Sequence, residues 1–177
     1  MSTITTAPNR PSRRLGRRLA GVAGAAAMCA ALVAAPTPAA AAPSASRIDL
    51  TVAETLAVTT GTVISDTGLA GLGCDGAVVL TSGVTITTAG DRTTFAGTKS
   101  IACGMGTLTL AFRASVRGCS TTDSGTWRVT GGTGEFDGAR GRGRLVGTYF
   151  GGSGPDAGTN CNSDGINDRY TGVLVLP

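Results

Sequence analysis

Histidine is absent from all 177 residues, lysine occurs once, and aromatic residues make up only 4% of the chain. Without histidine there is no Ser-His-Asp or Cys-His nucleophile, and no imidazole to hold a metal. No CxxC spacing occurs, which removes the usual zinc and thioredoxin-like patterns. No P-loop lysine motif is present, and GTGEFDG (Gly132–Gly138) does not open a helix after a strand as a dinucleotide fingerprint would. Any acid–base chemistry therefore falls to carboxylates, tyrosine, the single lysine or water.

Acidic residues are also missing from the first 43 positions, where Arg10, Arg13, Arg14, Arg17 and Arg18 cluster. A 17-residue apolar run, Leu19 to Ala35, follows, and then a small-residue stretch, Pro36 to Ala42. This basic–apolar–small order predicts a secretory signal peptide over residues 1–41, cleaved after Ala39-x-Ala41. The run is short for a membrane span, and Cys29 after Met28 is a poor lipid acceptor. SRRLG (Ser12–Gly16) is similar to a twin-arginine export signal and points to a bacterial precursor; an ordinary Arg-rich leader fits equally. The expected location is extracellular, with no membrane anchor after cleavage.

Beyond residue 43 there are ten basic and eleven acidic residues, a net charge of −1. The whole-chain pI near 9.1 thus reflects the leader. With no cationic excess in the mature part, nucleic acid is not an expected partner.

Residues 42–177 fit one domain. They are rich in Gly, Thr, Val and Ala, a composition suited to strands and tight turns. Alternation is clearest in Thr107–Arg117, where Leu108, Leu110, Phe112, Ala114 and Val116 share one face. Ile48–Thr59 repeats the pattern with Ile48, Leu50, Val52, Leu56 and Val58, and Val78, Leu80, Val84 and Ile86 form a third stripe. Further strands are expected at 93–102, 126–130, 142–150 and 169–176, with turns at Ala89–Asp91 and Cys103–Gly106 and a long polar loop at 151–167. Seven or eight amphipathic strands call for a closed antiparallel β-barrel of about eight strands, with a β-sandwich as the alternative.

Four cysteines remain after cleavage, and strand direction restricts their pairing. If the first strand runs upward, Cys74 and Cys103 fall at the top and Cys119 and Cys161 at the bottom. The expected disulfides are Cys74–Cys103 and Cys119–Cys161.

Three constellations are candidates for chemistry. Glu54 has the parity of the apolar face of the first strand, where it is the candidate catalytic residue. Burial disfavours the charged form of a carboxylate, which is how an interior acid comes to serve as general acid or base. Lys99 shares parity with Phe95 and Ile101 and is a candidate partner of Glu54 and ligand-binding residue. A β-bulge would instead turn either side chain outward. Second, Asn160, Asn162, Asp164, Gly165, the Ile166 carbonyl and Asp168 follow a calcium-loop spacing. The first ligand is Asn and the twelfth position is Thr171 where a bidentate Glu is wanted, so a polar Asx-turn loop is favoured and no metal or cofactor is expected. Third, Arg140, Arg142 and Arg144 alternate along one strand face. They suit a carboxylate or phosphate, or a solvated surface beside Glu135 and Asp137.

The most distinctive stretch is VTGGTGEFDGARGRGRL, Val129–Leu145. Gly131, Gly132 and Gly134 permit a sharp reversal with positive φ, and Phe136 can plug a barrel end. This stretch resembles the dirigent proteins, whose hallmark reads GGTG, one residue, F, two residues, ARG. Gly131-Gly132-Thr133-Gly134, Phe136 and Ala139-Arg140-Gly141 match it position for position. It is also similar to the allene oxide cyclase segment, in which GG-small-G precedes F and an acidic-Gly pair, here Phe136-Asp137-Gly138. The resemblance covers about 13 residues and implies an eight-stranded antiparallel barrel. Dirigent proteins guide phenoxy-radical coupling and the cyclases close an unstable epoxide, both by holding a reactive apolar molecule inside the barrel. A small apolar or aromatic ligand is the implied partner, with Phe136 and Arg140 joining Lys99 as candidate contacts. A non-catalytic structural or interaction domain at the cell surface is the alternative.

Overall fold

The computed structural model describes residues 43–69 and 71–177. The signal peptide expected over residues 1–41 lies outside the described residues. Eight strands follow in order: β1 (Ser44–Thr55), β2 (Thr60–Thr67), β3 (Val78–Ala89), β4 (Arg92–Cys103), β5 (Gly106–Arg117), β6 (Thr122–Gly132), β7 (Arg140–Phe150) and β8 (Gly165–Leu176). A single 3₁₀ turn, Gly134–Phe136, joins β6 to β7. Each strand pairs antiparallel with the next, and β8 returns to β1 over twelve residues, closing the barrel. Closure leaves no full-length edge unpaired, the expected solution for eight half-apolar strands. No described helix is long and apolar enough to cross a membrane.

Two-residue turns set the longest hairpins. Ala89 pairs with Arg92 around Gly90, whose φ is +61°, and Cys103 pairs with Gly106. Both turns fall where the sequence places them. β5 also behaves as expected, with Leu108, Leu110, Ala114 and Val116 buried.

Three elements differ from expectation. β2 is an additional strand: only Val63 in it is buried, so its alternation is faint. β1 therefore stops at Thr55, and Leu56 and Val58 occupy the connecting turn, where both are exposed. In β3, Val79 faces inward while Val78 and Leu80 face solvent. A bulge between Ser82 and Thr85 then shifts the register, so Ile86 pairs with the inward-side Phe95 at an open rim. The apolar stripe read along β3 thus changes face halfway.

The extra strand also inverts the direction of everything after it. Cys74 and Cys103 lie at the end where β1 begins, called the lower end below, and Cys119 and Cys161 at the end where β1 finishes, the upper end. The pairing survives because all four positions invert together. Cys74–Cys103 and Cys119–Cys161 are both present, with Cα separations of 4.3 and 5.3 Å. Such bridges add about 2–4 kcal/mol each and suit an oxidising compartment.

The lower half is filled by the apolar core, including Ile48, Leu50, Val79, Ile101, Leu108, Trp127, Leu174 and the plug residues Leu69 and Phe136. Trp127 turns the Nε1 edge of its indole onto the backbone: a Cβ on Gly143 would stand 2.7 Å from Nε1, and one on Gly172 2.9 Å from Cζ2. The indole N–H donates to the Thr171 carbonyl at 3.2 Å. Phe136 is fully buried, as its place in the GGTGEFDGARG corner suggests. Of the glycines there, Gly134 takes positive φ (+62°), whereas Gly132 is small because a Cβ would come within 2.6 Å of the Phe136 Cβ.

Candidate functional site

Halfway up the barrel the apolar filling gives way to charge. Lys99, the only lysine of the chain, is 1% exposed and points inward from β4. Its Nζ donates to Glu54 Oε1 of β1 and to Asp168 Oδ2 of β8, each at 2.5 Å. Glu54 is 8% and Asp168 5% exposed. Thr81 Oγ1 of β3 donates to the same Glu54 oxygen at 3.0 Å, and Tyr170 O–H donates to Asp168 Oδ2 at 3.2 Å. The ammonium also faces the rings of Phe112 and Tyr170, 5.2 and 5.8 Å from their centroids. Burying a lone charge is prohibitive, so an interior lysine requires such partners.

A second polar pair adjoins the first. Asp123 of β6, also buried, accepts from Tyr149 O–H at 2.9 Å and from the Gly147 amide at 3.1 Å. Burial is the largest influence on Asp123 and pushes its carboxyl above the ordinary aspartate range; the Tyr149 hydrogen bond opposes this and the nearby Asp168 charge adds to it. Burial, followed by the Asp123 charge and hydrogen bond, drives the Tyr149 hydroxyl strongly upward. Tyr170 is raised for the same leading reason, reinforced by Asp168 and Glu54. Both phenols therefore remain proton donors at any physiological pH.

Glycines make the room. A Cβ on Gly147 would sit 2.5 Å from Asp123 Oδ1 and 2.8 Å from Asp168 Oδ1. One on Gly61 would meet the Glu54 Cγ at 2.5 Å, and one on Gly97 would press on the Phe112 ring at 3.0 Å. Glu54, Phe112, Asp123 and Asp168 thus each face a strand position that has no side chain.

Above this cluster is a cavity of about 150 Å³, reached from the upper end. Glu54, Lys99, Asp123 and Asp168 line it together with Phe95, Phe112, Ala114, Leu145, Tyr149 and Ile166. Leu56, Val84 and Asn160 stand at its mouth. Asn160 is fixed by reciprocal bonds with Ser120, its Oδ1 accepting at 2.8 Å and its amide donating at 3.0 Å, next to the Cys119–Cys161 bridge. The arrangement offers a buried ammonium, three carboxyl groups and the Tyr149 phenol against an apolar wall. It can hydrogen-bond one polar group of a small guest and supply or accept a proton at Asp123.

The structure unites Glu54 and Lys99, the pair suggested by parity, and neither is turned out by a bulge. Glu54 is not an isolated acid, because Lys99 neutralises it. Phe136 and Arg140 do not join them: Phe136 closes the opposite end, and Arg140 is exposed on the outer wall. The calcium-loop residues are dispersed. Asn160 caps Ser120, Asn162 Nδ2 donates to the Ser153 and Pro155 carbonyls, and Asp164 Oδ2 accepts from the Gly152 amide. Asp168 sits within β8 on Lys99, and no metal-type cluster occurs among the described residues. Two cavity acids, Asp123 and Asp168, were not recognised as such. For Asp168 the signal was available, since it shares parity with Ile166, Tyr170 and Leu174. No family model matches the chain, and neither the curated proteins nor the solved structures contain a match to it.

Proposed function

We propose that this chain is an exported barrel protein that holds a small apolar or aromatic molecule in the upper cavity, against the Lys99–Glu54–Asp168 cluster. The observation that carries the reading is the division of the interior: a packed lower half, then an apolar-walled cavity with a fully partnered charged floor. A space of about 150 Å³ takes a benzene-sized guest. The lining holds three carboxyl groups and one ammonium, so a neutral or cationic guest is favoured over an anion. Export is supported by the leader pattern and the two disulfides. The GGTGEFDGARG resemblance supports a dirigent-like or cyclase-like use of the barrel, in which shape control of a reactive guest does most of the work. In that reading Asp123 and Tyr149, which line the cavity, polarise a ligand oxygen, while Tyr170 beneath the floor orients Asp168.

Toluene, phenol and benzoate test this by methyl NMR of the protein. Toluene and phenol are expected to shift the Ala114, Leu145 and Ile166 methyls, benzoate is not, and Ala114→Leu should abolish the response by filling the space. Unchanged spectra with millimolar toluene and phenol would refute the reading.

A further inference from the structure

We propose that the outer face of β5–β7 is a docking strip for a base-free phosphodiester polymer, such as a chain of polyol phosphates. Arg113 of β5, Arg128 of β6, and Arg140, Arg142 and Arg144 of β7 are all exposed on this wall. The register gathers them: Arg128 pairs directly with Arg142, while Thr126 pairs with both Arg113 and Arg144. Alternate residues on β7 are about 7 Å apart, and directly paired residues about 5 Å apart. Like charges directly opposite each other on adjacent strands are destabilising. Among the described residues no carboxylate lies within 4.0 Å of any of the five. Arg169 and Arg117, by contrast, do have acids, Asp49 and Asp91. The fold therefore leaves this repulsion uncompensated, and an external anion would relieve it.

Shape points to a chain. An open groove of about 640 Å³ is lined by Arg113, Thr126, Arg128 and Arg142, and a second of about 590 Å³ by Arg140, Arg142 and Val173. Arg142 borders both, so the depression continues along the wall, and its arginines can fork onto successive phosphates. Trp127 is buried beneath the strip and offers no face to a base. Single-stranded nucleic acids rely on such stacking platforms, which favours a polymer without bases. Counted formally, Glu54, Asp123 and Asp168 with Lys99 place a net −2 inside the barrel, so the net −1 of residues 44–177 leaves +1 on the outside.

Fluorescence anisotropy with labelled poly(glycerol phosphate), over a salt series, tests the proposal independently of the cavity. Five phosphate contacts should give a log K versus log salt slope of about −3.5, and Arg128→Gln/Arg142→Gln should reduce it to about −2. The double variant should bind at least tenfold more weakly at low salt while its melting temperature stays level or rises. Arg92→Gln, on β4 at the upper end, should change neither quantity. Absence of binding, a slope unaffected by the double substitution, or equal or tighter binding of oligo(dT) of the same charge would overturn it.

Discussion

Replacing Lys99 with methionine removes the one cation inside the barrel while nearly preserving side-chain volume. Two carboxylates, Glu54 and Asp168, each lose a 2.5 Å partner at once. Breaking a buried pair from one side typically costs about 3–5 kcal/mol, because the surviving charge is left without solvent or counterion. At about 3–4 °C per kcal/mol for a domain of this size, the melting temperature should fall by roughly 10–20 °C at neutral pH. Lys99→Met/Glu54→Gln/Asp168→Asn, which removes charge from all three positions, should recover most of the loss. Differential scanning fluorimetry at neutral pH reads both effects. A Lys99→Met protein that melts with wild type at neutral pH would refute the buried ion cluster, and a triple variant no better than the single would show that the loss lies in packing.

Phe136→Ala should cost about 3–5 kcal/mol, since the ring is fully buried at the lower end; an unchanged denaturation midpoint would contradict that placement. Asp123→Asn tests the acid that burial holds above its ordinary range. Because its folded pKa is raised, folding favours the protonated form: the contribution is fully present below the unfolded value and is lost as pH rises through the folded one. Asparagine imitates the neutral form, so the variant should lose that part of the decline in melting temperature as pH rises above the unfolded aspartate value, leaving the contribution of Asp66, also raised by burial. Parallel wild-type and variant profiles would disprove it.

Periodicity revealed those parts of the barrel whose inward residues are all apolar. β5 is such a strand, and its hairpin with β4 needs only the two-residue turn at Gly104–Met105. β2 escaped because a strand with one buried residue carries almost no period-two signal. β3 misled because Val and Ile are favoured in strands on either face, and because a bulge reverses facing without leaving a mark in composition. The disulfides were nevertheless deducible, since pairing depends on relative strand direction and an overlooked strand before Cys74 inverts all four sites alike. Glu54 and Lys99 were legible as charged residues at apolar parity. Asp168 was obscured by the polar run from Asn160, whose alternating oxygens imitate a cation loop although the chain becomes extended at Gly165. Asp123 directly follows a polar turn, so no flanking apolar residue marks its face.

Charge clusters inside a barrel rarely add net stability, and apolar replacements of similar volume often fold as well or better. In this chain the cluster also requires glycine at positions 61 and 147, since a Cβ there would strike Glu54 or the two aspartates. Glycine in a strand interior forfeits packing and backbone entropy. The fold therefore accepts a double cost in the upper half while the lower half is closed by Phe136, Leu69 and the Cys74–Cys103 bridge. A barrel selected for stability alone would have continued the apolar packing upward, because β5 already supplies Phe112, Ala114 and Val116 there. The polar floor is thus not explained by what holds the strands together, and it is this that favours the proposal of a guest in the space above it. The second disulfide fits the same division, since it anchors the loop that carries Asn160 to the mouth. On the proposed reading, Asn160→Ala should change the shifts that toluene induces in the Ala114 and Ile166 methyls while leaving the lower-core methyls where they are; a toluene response identical to wild type would separate the loop from the mouth.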